Sequence, residues 1–164
     1  MYKHILVPVD GSAQSERGLD EAIKLAHAMQ GRIRLIHAFN DAPLARPGLT
    51  GEHFDSVYEQ VRGDGARLLG LAAAYVSKAG VTVDTKLIET PKARLGDLIA
   101  REAEEWPADL VVCSTHGRSG LLRALLGSDG EEILRRSPVP VLLVPTRPAC
   151  PPACRTSAAE ASEA

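Results

Sequence analysis

The chain predicts an open parallel α/β sheet of five strands with helices on both faces. Short β-branched and apolar runs alternate with amphipathic helical stretches along most of its length. The stretch from Leu110 to Val144 reads as strand, glycine loop, helix start and strand, the βαβ order of a parallel sheet. A hydrophobic content of 45% and a charged content of 24% are those of an ordinary globular core and surface.

Lys3 to Val9 (KHILVPV) is the first strand, and Asp10-Gly11-Ser12 turns the chain. Ser12 suits an N-cap, Leu19, Ala22, Ile23 and Ala26 mark one helix face, and Gly31 suits the stop. Arg32 to Phe39 is the second strand and Asn40 to Gly51 a loop. The second helix carries Phe54, Val57, Tyr58, Val61, Leu68, Ala72 and Val76 on one face and ends at Gly80. Gly63, Gly65 and Gly70 each cost it about 1 kcal/mol relative to Ala, so a bend near Gly63 stands beside a straight helix. Val81 to Glu89 is the third strand. Thr90-Pro91 suits a cap with proline at the first helical position, and Leu95, Leu98, Ile99, Ala103 and Trp106 form the next stripe, stopped by Pro107. Leu110 to Cys113 is the fourth strand, Gly127-Ser128 opens the fourth helix, and Val139 to Val144 is the fifth strand. The expected domain is residues 1–146; residues 147–164, rich in Pro, Ala, Ser and Glu, read as a disordered tail.

At 164 residues one domain is expected, burying roughly 70% of the surface of its unfolded chain. A net charge of −2 and 4% aromatics speak against nucleic acid as a partner. No apolar run is long enough to span a bilayer, and Pro8 and Asp10 break the first run before it resembles a signal peptide. Three cysteines without such a signal point to a cytoplasmic setting.

In parallel sheets ligands sit at the carboxyl ends of strands, where strand order reverses. Asp10 ends the first strand and Ser114 the fourth, so neighbouring strands would bring both to one crevice. The loop Ser114-Thr115-His116-Gly117 and the helix start at Gly127-Ser128 supply the backbone N–H groups that favour a phosphate.

Plainer readings stand beside these. Ser128-Asp129-Gly130-Glu131 fits a capping box. Gly117 and Gly127 suit positive φ, and Asp10 suits a turn. His37 reads as a packed strand histidine, and His116 lacks a nucleophile or carboxylate that would make it a catalytic base. Cys150 and Cys154 have no second ligand pair at zinc spacing. Arg118, Arg123, Arg135 and Arg136 read as solvated charges.

The pairing of ILVPVDGS (Ile5 to Ser12) with STHGRSGLLRALLGS (Ser114 to Ser128) and PVPVLLV resembles the universal stress proteins, from Lys3 to Val144. The resemblance implies a Rossmann-like sheet in the order 3-2-1-4-5, dimerising through its last strand, with one branch of the family binding ATP. That branch carries glycine, two residues, glycine, nine residues, then glycine with Ser or Thr. Gly117, Gly127 and Ser128 match it, and Ser114 stands where the family has its first glycine. The resemblance implies that Gly117, Gly127 and Ser128 cradle phosphates and that Asp10 faces ribose and base. Pro8, Val9 and Ala38 would line the adenine pocket, with His116 and Gly130 at its rim.

The expected protein is an ATP-binding, cytoplasmic homodimer, paired through Val141 to Val144 and acting by nucleotide-linked signalling in stress response, with no membrane partner. The alternatives are a nucleotide-free dimeric module and a slow ATPase or phosphoryl-transfer enzyme. No Walker lysine follows the glycine loop, so efficient catalysis is not expected. Ser114 narrows the approach to the ligand, and Asp129 either repels the phosphates or holds a Mg²⁺ between them, so ATP binding weaker than that of an unbroken motif is expected.

Overall fold

The structure is a computed structural model that describes residues 1–39, 52–89, 94–115 and 128–145, without the side chains of 52, 53, 128 and 129. Its elements are β1 (His4–Pro8), α1 (Ala13–Met29), β2 (Arg32–Phe39), α2 (Glu52–Lys78), β3 (Thr82–Glu89), α3 (Leu95–Glu105), β4 (Leu110–Ser114), α4 (Ser128–Arg136) and β5 (Val141–Val144). The sheet is parallel throughout, in the order β3-β2-β1-β4-β5, as expected.

Burial on both faces explains the unbroken apolar runs of β1 and β4. Ile5, Val7, Ile33, Leu35 and Val112 pack with Leu19, Ala22, Leu69 and Val76 of α1 and α2. Leu6, Ile36, Val111 and Cys113 face the other way, onto Ile99, Ala103 and Ile133 of α3 and α4. The predicted stripe of α1, Leu19, Ala22, Ile23 and Ala26, is buried.

Ser12 caps α1 as expected, its Oγ accepting the Ser15 N–H at 3.1 Å. The stop differs. Gln30, at φ 52°, takes the left-handed turn, and Gly31 donates its N–H to Ala26 O at 2.9 Å. Gly31 serves close approach instead, since a Cβ there would lie 3.0 Å from Lys3 O and 3.1 Å from Tyr2 O.

α2 runs through Gly63 without a break. Gly63 and Gly70 meet nothing within 4 Å of an added Cβ, whereas a Cβ on Gly65 would press to 2.9 Å on His37 and Leu87. Packing of the remaining face onto β2 and β3 outweighs the propensity cost.

The start of α3 also differs from the sequence expectation. The helix begins at Leu95 with Arg94 as N-cap and no side-chain cap bond; Thr90 and Pro91 lie outside the described residues. Its first turn is held from α4. The Glu132 carboxylate reaches the Gly96 N–H at 3.5 Å and Arg94 at 3.5 Å, while Arg136 pairs with Asp97. β5 begins at Val141, two residues after the expected start at Val139; Ser137 Oγ donates to Val139 O at 2.7 Å, a local turn that delays the strand. The expected tail also lies outside the described residues.

Candidate functional site

Strand order reverses at β1, between β2 and β4, so a crevice opens at their carboxyl ends. A cleft of ≈ 100 Å³ lies there. Of the residues expected at a site, Pro8, Val9, Asp10, Ala38, Ser114 and Gly130 line it together. They come from β1, β2, β4 and α4, far apart in the chain, and the crossovers bring them to one place. His116, Gly117 and Gly127 lie outside the described residues, as do the side chains of Ser128 and Asp129. The backbone of α4 does start at Ser128, as expected.

The Asp10 turn is tightly organised. Asp10 Oδ1 accepts the Ser12 N–H at 2.9 Å and the Ser12 hydroxyl at 2.6 Å. The Asp10 N–H donates to Ser15 Oγ at 3.3 Å. Gly11, at φ 75°, makes the reversal that an L side chain rarely adopts. The turn reading of Asp10 therefore holds, and it leaves the residue at the cleft wall.

The β1–β2 ladder ends beside it. Arg32 N–H donates to Lys3 O, and Val9 N–H to Ile36 O, each at 2.8 Å. Even positions of β2 thus turn their backbone groups toward β1, since alternate strand residues share a side. Ala38, the next even position, stands one step past the last paired residues, Pro8 and Ile36. Its N–H and carbonyl face the switch point. Val9 O instead accepts Nδ1–H of His37 at 2.7 Å.

Gly130 is buried beneath Ser114; a Cβ there would sit 3.6 Å from Ser114 O and 3.8 Å from Thr115 O. Close contact between α4 and the end of β4 brings the positive end of the helix dipole near the crevice. Cys113 also lines the cleft, but burial pushes its thiol up to about 12, so it stays protonated and inert.

Sequence reasoning missed Ser15, Leu95 and Ile133 as lining residues. Ser15 was legible as the third residue beyond a capping serine. Leu95 and Ile133 were legible only as apolar helix positions. A larger groove of ≈ 610 Å³ lies between α1 and α2, floored by Leu19, Leu68 and Ala72. It shares Val9 and Ser15 with the cleft and carries Glu16, Asp20, Asp64 and Arg67 on its walls, whereas Ala38, Ser114 and Gly130 line the cleft alone.

Other charged groups have structural partners. Arg135 pairs with Glu131 and Arg136 with Asp97, in line with the solvated-charge reading. Glu102, 2% exposed, accepts Arg34 Nη1–H at 2.9 Å and pairs with Lys86, and Arg34 also meets Asp84 at 2.6 Å. Arg34 lies 4.8 Å and Arg32 5.3 Å from the centre of the Trp106 ring. Arg32 and Arg34 of this cluster stand in the first half of β2, in register with His4 and Leu6. Among the described residues, no group of three or more His, Cys, Asp or Glu stands ready for a metal, and no helix is long and apolar enough to cross a membrane.

A five-stranded parallel sheet in this order, with a cleft at the switch point, defines a Rossmann-like α/β protein. Residues 1–145 match the model of the universal stress protein family, and the chain belongs to that family. Universal stress protein YxiE of Bacillus subtilis (strain 168) is 31% identical over 150 residues, covering 88% of this chain and 99% of that one. The solved structure of hypothetical protein MJ0577 superposes with a TM-score of 0.78 at 21% identity, over 91% of this chain and 99% of that one. A universal stress protein solved in complex with cAMP gives a TM-score of 0.63 at 25% identity, over 89% of this chain and 98% of that one.

Proposed function

We propose that this universal stress protein binds ATP in the crevice between β1 and β4 and acts through nucleotide-linked conformational signalling in stress response. The observation that carries the reading is the backbone edge of Ala38 beyond the β1–β2 ladder. Adenine presents an acceptor, N1, beside a donor, the N6 amine. A strand residue whose N–H and carbonyl face one side complements that pair, and guanine, with the order reversed, does not fit. Asp10 then faces the ribose. Gly117, Gly127 and Ser128 take the phosphates by resemblance to the family motif, with the start of α4 supplying favourable dipole. Complex formation of a relative with cAMP supports an adenine nucleotide as the ligand class.

Asp10 is the single carboxylate of the described residues lining the cleft. One carboxylate with phosphate oxygens suits Mg²⁺, which keeps much of its own water. Asp10, from the ribose side, would therefore share a nucleotide-bound Mg²⁺ with Asp129, and ATP binding is expected to weaken on chelation.

Mass spectrometry of nucleotide retained by the purified protein, with calorimetry of ATP and GTP, tests the reading. Retained adenine nucleotide and a preference for ATP are expected. Absence of both moves the reading to a nucleotide-free interaction module. Ala38→Pro removes an N–H that the sheet does not use. It is expected to weaken ATP binding by about 10–100-fold, the loss of one buried hydrogen bond with its acceptor stranded, while melting stays close to wild type.

The protein is proposed to be cytoplasmic and to form a homodimer through β5. β5 is an edge strand, and an unpaired apolar edge favours a second copy. Val141 and Leu143 pack toward the α3/α4 core, whereas Leu142 is exposed, so Leu142 is the side chain to change. Leu142→Lys is expected to shift sedimentation from dimer toward monomer without unfolding; an unchanged sedimentation coefficient counts against the strand.

A further inference from the structure

We infer that His37 is a positioning residue for base recognition: its bond to Val9 O keeps the backbone edge of Ala38 open. The inference rests on the proposed base site but is read from the sheet itself. In a continuing parallel ladder, Ala38 N–H would donate to Val9 O, the step after Val9 N–H to Ile36 O. That bond is not formed. Val9 O accepts from the His37 ring at 2.7 Å, and because a carbonyl only accepts, Nδ1 carries the proton.

The direction of this bond matters. His37 shares its sheet face with Ile33 and Leu35, which pack toward α1 and α2. Accepting from the ring turns Val9 O out of the sheet plane and toward that face, away from Ala38. α2 holds the ring in place, since a Cβ on Gly65 would lie only 2.9 Å from His37 Cδ2. Without the ring donor, Val9 O returns to the plane, Ala38 N–H closes on it, and β1 and β2 zip one step further. The base edge is then occupied by the protein's own backbone. Val9, Ala38 and Gly65 thus act through one histidine, whose bond to the protein's own backbone decides whether the base has a partner.

Two arms test this on the full-length protein. The first is hydrogen exchange of the Ala38 amide, followed by NMR without nucleotide. It is expected to be fast in wild type and at least about tenfold slower in His37→Leu, where a ladder bond protects it. His37→Asn, which keeps an N–H on the atom after Cγ, is expected to restore fast exchange. Gly65→Ala, which drives the ring from Val9, is expected to behave as His37→Leu and serves if that variant does not fold. The second arm is calorimetry with ATP and with inorganic tripolyphosphate. His37→Leu is expected to lose about tenfold in ATP affinity, with His37→Asn near wild type and tripolyphosphate binding equal in all. Equal exchange of the Ala38 amide in wild type, His37→Leu and Gly65→Ala overturns the inference, whatever ATP does. The expected exchange pattern in a wild type that binds no ATP upholds the positioning of Ala38 and overturns the nucleotide reading alone.

Discussion

Gly96→Val lowers stability by about 3 kcal/mol, at the upper end for overpacking a close contact, and lowers the melting temperature by about 6–12 °C for a chain of this size. A Cβ at position 96 would lie 2.7 Å from the carbonyl oxygen of Glu132 and 2.9 Å from its carbon. Both are backbone atoms of α4, so no side-chain rotation relieves the contact; the helices must separate. Separation also costs the bonds from Glu132 to Gly96 N–H and to Arg94. Since α4 begins at the crevice, its displacement is expected to weaken ATP binding as well. Gly96→Ala moves in the same direction by less. Gly63→Ala is the contrasting control: no atom lies within 4 Å of its added Cβ. It is expected to stabilise by about 0.5–1 kcal/mol through helix propensity. Thermal melts of the three variants decide the matter, and a Gly96→Val protein as stable as wild type would show that α3 and α4 are not in this contact.

Glu102→Ala costs about 2–3 kcal/mol, below the range for a fully buried ion pair that loses one partner. The carboxylate is 2% exposed, but Arg34 and Lys86 are 23% and 40% exposed in their side chains, so solvent recovers part of their charge. Arg34 also keeps Asp84 at 2.6 Å, and Lys86 keeps Glu105 at 3.0 Å. The remaining cost is the small cavity between α3 and the sheet and the loss of two charge-assisted bonds. Hydrogen bonding to Glu102, opposed by burial, raises Lys86 above its ordinary value of 10.5 in the folded protein. A raised lysine contributes stability that is complete below 10.5 and is lost as pH climbs through the folded value. The gap between wild type and Glu102→Ala is therefore expected to hold from neutral pH to about 10 and to narrow above it. Urea unfolding at neutral pH and at high pH measures this; a gap that widens with alkali would rule out the Lys86 pair as its source.

The order of strands and helices was legible because periodicity reports burial, and burial of β1, β4 and the α1 stripe follows from that periodicity alone. Asp10 and Ser114 were legible as strand ends, and Gly127-Ser128 as a helix start, because turn and cap chemistry is local. Other features came from tertiary structure. Glu102 reads as one more surface charge among Arg101, Glu104 and Glu105, and becomes a buried anchor only when β2 and β3 bring Arg34 and Lys86 to it. Gly96 reads as a weak helix position, and its need for no side chain appears only when Glu132 arrives from another helix. The start of α3 lies at Leu95 rather than Thr90-Pro91 for the same reason, since the Gly96 N–H of its first turn finds its acceptor, Glu132, across space. His37 reads as a packed histidine, and so it is, but only the meeting of β1, β2 and α2 shows that its proton goes to Val9 O. Local chemistry sets which elements form and where they turn; the contacts between elements set which carbonyl faces which donor, and no single stretch of chain contains both partners.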